Sequence, residues 1–226
     1  MLKIRLVVTQ VYSTYNSMNS PLVIGITGGS GSGKTTFIKL LREPFLEADV
    51  CVVSQDDYYK PRSEQKKDNQ GIHNFDLPGS IDKKAFLLDV EKLLAGQVVQ
   101  RPEYTFNNEN AEPQMRVFRP APVIIVEGLF VFHYKKINAL LDLRIFLHAK
   151  ENLKVIRRIR RDQMERNYPI DDVLYRYEHH VTPTFEKYVQ PHIEHADLVI
   201  NNNKDFNMGL AVVQGYIKNF LSEYPR

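Results

Sequence analysis

Five short apolar runs punctuate the chain, at residues 22–26, 49–54, 123–126, 141–147 and 197–200. They carry little of the polar alternation of a half-exposed strand, and each is too short for a buried helix. Such runs predict strands covered on both faces, as in a parallel sheet. Between them the apolar spacing changes to that of helices. Residues 34–42 place Phe37, Ile38, Leu40 and Leu41 at helical intervals and should end near Pro44. Residues 81–94 do the same with Phe86, Leu87, Val90, Leu93 and Leu94, with Ser80 as the expected cap and Gly96 as the closing residue. Further helices are predicted over 151–167, over 171–189 in two pieces because Pro183 interrupts it, and over 207–221. Alternating strands and helices predict one α/β domain, a parallel five-stranded sheet flanked by helices. Residues 60–80 are polar and contain Pro61, Gly71, Pro78 and Gly79. A loop of that length in a compact domain usually serves a site.

Composition narrows the class without naming it. With 43% hydrophobic and 25% charged residues the chain is neither disordered nor fibrous. A net charge of +3 gives no reason to expect nucleic acid as a partner. No apolar stretch is long enough to span a bilayer. The single cysteine, Cys51, lies in an apolar run, which excludes an intrachain disulfide and suits a cytoplasmic protein. Residues 1–17 hold only the short apolar run Leu6-Val7-Val8 before Met18. Met18 is the expected start of the folded domain, residues 18–226, with 1–17 an extension outside it.

The chemistry begins at Gly28-Gly29-Ser30-Gly31-Ser32-Gly33-Lys34-Thr35, followed by Thr36. This is the phosphate-binding pattern G-x-x-x-x-G-K-[ST], between a predicted strand and a predicted helix. The glycines let backbone N–H groups face an anion, and the helix start adds its positive end. Lys34 suits the β- and γ-phosphates of a nucleoside triphosphate, and the Thr35 hydroxyl suits Mg²⁺. Ser54-Gln55-Asp56-Asp57-Tyr58-Tyr59 and Val126-Glu127-Gly128 follow two further strands, at the ends where open parallel sheets bind ligands. Either Asp56 or Asp57 suits a base for an attacking hydroxyl, and Glu127 suits a metal-assisting acid.

Taken with Asn-Phe-Asp at 74–76, Tyr104-Thr105-Phe106, Arg161-Asp162 and Glu165-Arg166, these motifs resemble, in order, the uridine kinase family of phosphoribulokinase-like P-loop kinases. The resemblance runs from about Pro21 to the C-terminus. It implies a P-loop NTPase fold with a basic helical lid, ATP and Mg²⁺ as cofactors, and a small-molecule nucleoside phosphorylated on its 5′-hydroxyl, with no membrane or nucleic-acid partner. It also implies a homo-oligomer. Asp56 would be the general base, with Thr35, Asp56 and Glu127 around Mg²⁺. Asp76 would take the ribose 2′- and 3′-hydroxyls, and Tyr59 and Tyr104 would line the nucleoside pocket. Arg158, Arg161 and Arg166 match lid arginines, and Asp205 matches an acid near adenine.

Three base-side positions depart from the family pattern. Glu109 stands for a histidine, Tyr168 for an arginine and Arg176 for a glutamine. Asp56-Asp57 before two aromatics and Lys60-Pro61 is also similar to nicotinamide riboside kinases. A kinase for another ribose-like acceptor and an ATP-binding switch therefore stand beside the pyrimidine nucleoside kinase. Asp76 and Tyr104 favour the kinases, because a switch needs neither a diol-binding acid nor an aromatic clamp.

In the basic helix, Leu153, Ile156 and Ile159 recur every third residue and are expected to anchor one face. The histidines 179, 180, 192 and 195 fit no zinc spacing and are expected at the surface or in packing.

Overall fold

The computed structural model describes residues 20–105, 112–166 and 168–225, with the last two residues of the basic helix described by backbone alone. Met18, Glu109 and the side chain of Arg166 thus lie outside what is described.

Strands β1 (Leu22–Thr27), β2 (Val50–Ser54), β5 (Val123–Glu127), β6 (Leu143–His148) and β7 (Leu198–Asn201) form one parallel sheet in the order β2-β5-β1-β6-β7. Side chains alternate across a strand, so each apolar run feeds two cores. Val23, Val53, Ile124, Val126 and Phe146 face one side, where Phe86, Val90 and Leu93 of α2 (Lys83–Leu94) cover them. Leu22, Ile24, Ile26, Val123, Ile125 and Ile145 face the other, under Phe37, Ile38 and Leu41 of α1 (Lys34–Arg42). Val213 and Ile217 of α6 (Asn207–Glu223) complete that layer. Further helices include a short α3 (Lys135–Asn138), the basic α4 (Glu151–Arg166) and α5 (Ile170–Arg176). Among the described residues no helix is long and apolar enough to cross a membrane.

Four points depart from the sequence reading. The cap of α2 is Asp82, whose carboxylate accepts the Lys84 and Ala85 N–H groups, while the Ser80 hydroxyl donates to the Asn74 carbonyl instead. Pro183 does not split the helical stretch. After Arg176 the turns widen, with Thr182 N–H reaching the Tyr177 carbonyl and Gln190 N–H reaching that of Phe185, both five residues back. A wider turn relieves the clash of a proline ring with the preceding turn, and the path stays helical to His195. An antiparallel hairpin, β3 (Val99–Pro102) with β4 (Met115–Phe118), has no counterpart in the apolar pattern. Its strands hold four residues each and pair Arg101 against Arg116. Like charges there are tolerated because Arg101 meets Asp89 at 3.1 Å and Arg116 meets Asp57 at 3.3 Å.

The fourth correction concerns α4. Its buried stripe is Lys154, Arg158 and Asp162, whereas Ile156 is 45% exposed. The charged face points inward, over the loop that follows β1.

Candidate active site

Because β1, β2 and β5 are parallel and in register, their carboxyl ends arrive together. Ser54 is the ladder partner of Glu127, and Ile26 pairs with Glu127 from the other side. Every segment that leaves these ends borders one cavity of about 820 Å³.

The first wall is the glycine-rich loop. Gly33 has φ +97° and a side chain on it would meet Asn202 Nδ2 at 2.4 Å; Gly31 has φ +80° and would meet the Lys154 carbonyl at 2.4 Å. Only glycine fits this tight, left-handed backbone. Asn202 donates to the Ser32 carbonyl at 2.8 Å and so fixes the loop from β7. Lys34 Nζ donates to the Gly28 carbonyl at 2.7 Å, across the mouth of the loop. Burial lowers the Lys34 pKa, with Glu127 and Asp56 pulling it back up. Ser30, Gly31, Gly33, Lys34, Thr35 and Thr36 border the cavity. Gly28, Gly29 and Ser32 do not border it; the Gly28 and Ser32 carbonyls accept the bonds from Lys34 and Asn202.

The second wall is acidic. The Ser54 hydroxyl donates to Glu127 and accepts the Asp56 N–H at 3.2 Å. Burial pushes the Glu127 carboxyl up to about 7, and Asp56 adds to the push against Ser54 and Lys34. Asp56 borders the cavity; Asp57 turns away to Arg116. That separates two acids that their position after β2 left equivalent and between which the family resemblance implied Asp56. The Gln55 amide, buried beneath, accepts the Phe130 N–H at 2.9 Å and locks the tip of β2 to that of β5.

The third wall is aromatic and polar. The Tyr59 and Tyr104 rings lie 5.1 Å apart, with Phe75 6.2 Å from Tyr59. Asp76 faces Arg158, whose guanidinium meets it at 3.5 Å, donates to Ser30 Oγ at 3.0 Å and pairs with Asp162 at 3.2 Å. Arg158 thus touches the glycine-rich loop and the Asp76 wall together.

A family model for the phosphoribulokinase / uridine kinase family matches residues 23–208. The chain belongs to this family. The chain is similar to the uridine kinase of Brevibacillus brevis, with 32% identity over 206 residues, 91% of this chain and 96% of that one. It is also similar to the uridine kinase of Chlamydia pneumoniae, with 34% identity over 201 residues, 88% of this chain and 90% of that one. The fold is shared with a possible uridine kinase from Bacillus stearothermophilus (TM-score 0.53, 21% identity, covering 87% of this chain and 98% of that one). A putative fructose transport system kinase from Silicibacter shares it too (TM-score 0.60, 19% identity, 80% and 89%).

Arg161, Tyr168 and Arg176 complete the cavity of this family member, Arg161 bonded to Asp162 and Arg176 donating to the His73 carbonyl at 3.0 Å. Asp205 does not border it; its carboxylate accepts the Asn207 N–H at 3.1 Å, at the start of α6. Sequence reasoning missed Arg62, Phe75, Arg157 and Asp172, which also line the cavity. Phe75 was signalled by its place inside Asn-Phe-Asp and Arg157 by the basic helix. Nothing local marked Arg62 or Asp172.

Proposed function

We propose that this protein transfers the γ-phosphate of ATP to the 5′-hydroxyl of a pyrimidine ribonucleoside, uridine or cytidine, giving ADP and the nucleoside 5′-monophosphate. One observation carries the proposal: the phosphate loop, Asp56 with Glu127, and the Asp76–Tyr104 side all border a single cavity.

Each wall has a task. The N–H groups at the start of α1 and Lys34 bind and orient the phosphates. Asp56 takes the proton as the 5′-oxygen bonds to the γ-phosphorus and the bond from that phosphorus to the β,γ-bridging oxygen breaks. Asp76 accepts from the ribose diol, and Tyr59 and Tyr104 flank the nucleoside. Arg158 and Arg161 balance charge on the phosphates.

The donors present suit Mg²⁺. Thr35, Asp56 and Glu127 offer oxygen only, the choice of a hard cation that also takes phosphate ligands. Two neighbouring carboxylates, one with its pKa driven up by burial and by the other, form a place where a cation is favourable. Bound there, Mg²⁺ would supply charge neutralisation at the transferring phosphate. The proposal includes a cytoplasmic location and a homo-oligomeric state, which in-cell imaging and light scattering would test.

The experiment is phosphate transfer from labelled ATP across uridine, cytidine, their 2′-deoxy forms, nicotinamide riboside and ribulose phosphate. Uridine or cytidine should be the best acceptor, and loss of the 2′-hydroxyl should cost about 10²-fold or more in kcat/KM, since Asp76 is then left under-bonded. Hydrolysis of ATP with no acceptor consumed, or transfer only to the sugar phosphate, would overturn the proposal.

A further inference from the structure

The acceptor wall holding Phe75 and Asp76 belongs to a segment, residues 66–76, shaped by hydrogen bonds rather than by an apolar core. Asn74 N–H donates to the Lys66 carbonyl at 2.7 Å, Asp68 N–H to that of Ile72 at 2.9 Å, and Asp76 N–H to Asn74 Oδ1 at 2.9 Å. At the tip, Asp68 Oδ1 accepts the N–H groups of Gln70 and Ile72, both at 2.9 Å. Its second oxygen accepts the Tyr175 hydroxyl at 2.9 Å and meets His180 Nε2 at 2.7 Å. An ionised carboxylate only accepts, so Nε2 carries the hydrogen.

Tyr175 and His180 are five residues apart. On an α-helix, at about 100° per residue, they would point roughly 140° apart. They meet one oxygen because the helix widens over Tyr177–Val181, with Thr182 N–H bonded to the Tyr177 carbonyl. The same helix sends Arg176 to the His73 carbonyl and, with Tyr168 just before it, contributes a second set of residues to the cavity lining. His180 is 1% exposed, and its Nδ1 has no partner among the described residues. A buried imidazole with one nitrogen unmatched is a cost that packing alone does not explain.

We propose that Asp68 is a positioning residue for the acceptor. Its latch to Tyr175 and His180 sets the distance between the Phe75–Asp76 wall and the Tyr168–Arg176 wall, and so sets acceptor affinity without touching the acceptor. The proposal rests on the cavity being the acceptor site, as read above.

The test compares wild type with Asp68→Ala and with the milder Tyr175→Phe. For Asp68→Ala, KM for the nucleoside rises about tenfold or more, because bonds to a charged group are lost. KM for ATP stays within about twofold, and kcat at saturating nucleoside within about threefold. Tyr175→Phe gives the same pattern at about threefold, and it carries the test should Asp68→Ala fail to fold. Amide hydrogen exchange at Gln70 and Ile72 speeds up in Asp68→Ala. An unchanged nucleoside KM, or equal rises in both KM values, overturns the proposal. Should the wild type accept no nucleoside at all, the transfer reading fails separately. The latch is then judged on exchange alone, where unchanged protection of Gln70 and Ile72 overturns it.

Discussion

Helices α2 and α4 bury opposite chemistry with the same geometry. α2 turns Phe86, Val90 and Leu93 inward, each no more than 1% exposed. α4 turns Lys154, Arg158 and Asp162 inward at i, i+4 spacing, likewise one face of a helix, and leaves Ile156 and Met164 in solvent. Burying the first stripe stabilises the fold by roughly 25 cal/mol per Å² of apolar surface. Burying the second costs desolvation, offset only where each charge finds a partner. Those partners are present: Glu151 and the Phe185 ring for Lys154, and Ser30, Asp76 and Asp162 for Arg158. One helix holds the domain together; the other is held by it, with its cations aimed at the phosphate loop.

The comparison breaks most clearly at Phe86. Phe86→Ala should lower unfolding free energy by about 3–5 kcal/mol in urea titration while kcat per folded molecule stays near wild type. Arg158→Ala should cost about 3 kcal/mol, the low end for a broken buried pair, since Arg161 still holds Asp162. Here activity should fall as well, and Arg158→Met with Asp162→Leu should recover most of the stability but none of the activity. Arg161→Ala should lower kcat about 10²-fold with the urea midpoint unmoved. A midpoint that moved with kcat would make this arginine a structural group like those of α2. The smallest effect should come from Ile156→Lys, within about 0.5 kcal/mol of wild type, because that side chain is not the anchor its spacing suggested.

The charged contacts also set an acid limb. Burial alone would push the Asp68 carboxyl up, but bonds from His180, Ile72, Tyr175 and Gln70 outweigh it and hold it well below the usual range. A depressed carboxyl contributes stability that is complete above its unfolded pKa, about 3.9, and is lost as pH falls toward the folded value. Between about pH 5 and pH 2, Asp68→Ala should therefore lose stability less steeply than wild type, read as urea midpoint against pH.

How much of this the chain declares locally follows from the same contrast. The five strands, α1, α2 and the phosphate loop were legible because apolar runs, helical spacing and a contiguous glycine pattern are local signals. The β3–β4 hairpin was not, since its strands are four residues long and charged, and their partners, Asp89 and Asp57, come from distant segments. The inward charged stripe of α4 was misread because a periodicity rule assumes that the buried side is apolar.

The sequence by itself determined the sheet, the anion-binding turn and the residue types around it, since those depend on neighbours a few positions apart. Only the tertiary structure decided that Asp57 turns away to Arg116, that Arg158 bridges the loop and Asp76, and that Asp68 ties one wall to the other. Those choices rest on contacts 59 to 128 residues apart in the chain. Such contacts gain their energy only after the sheet has closed the distance between their partners, so no local pattern encodes them.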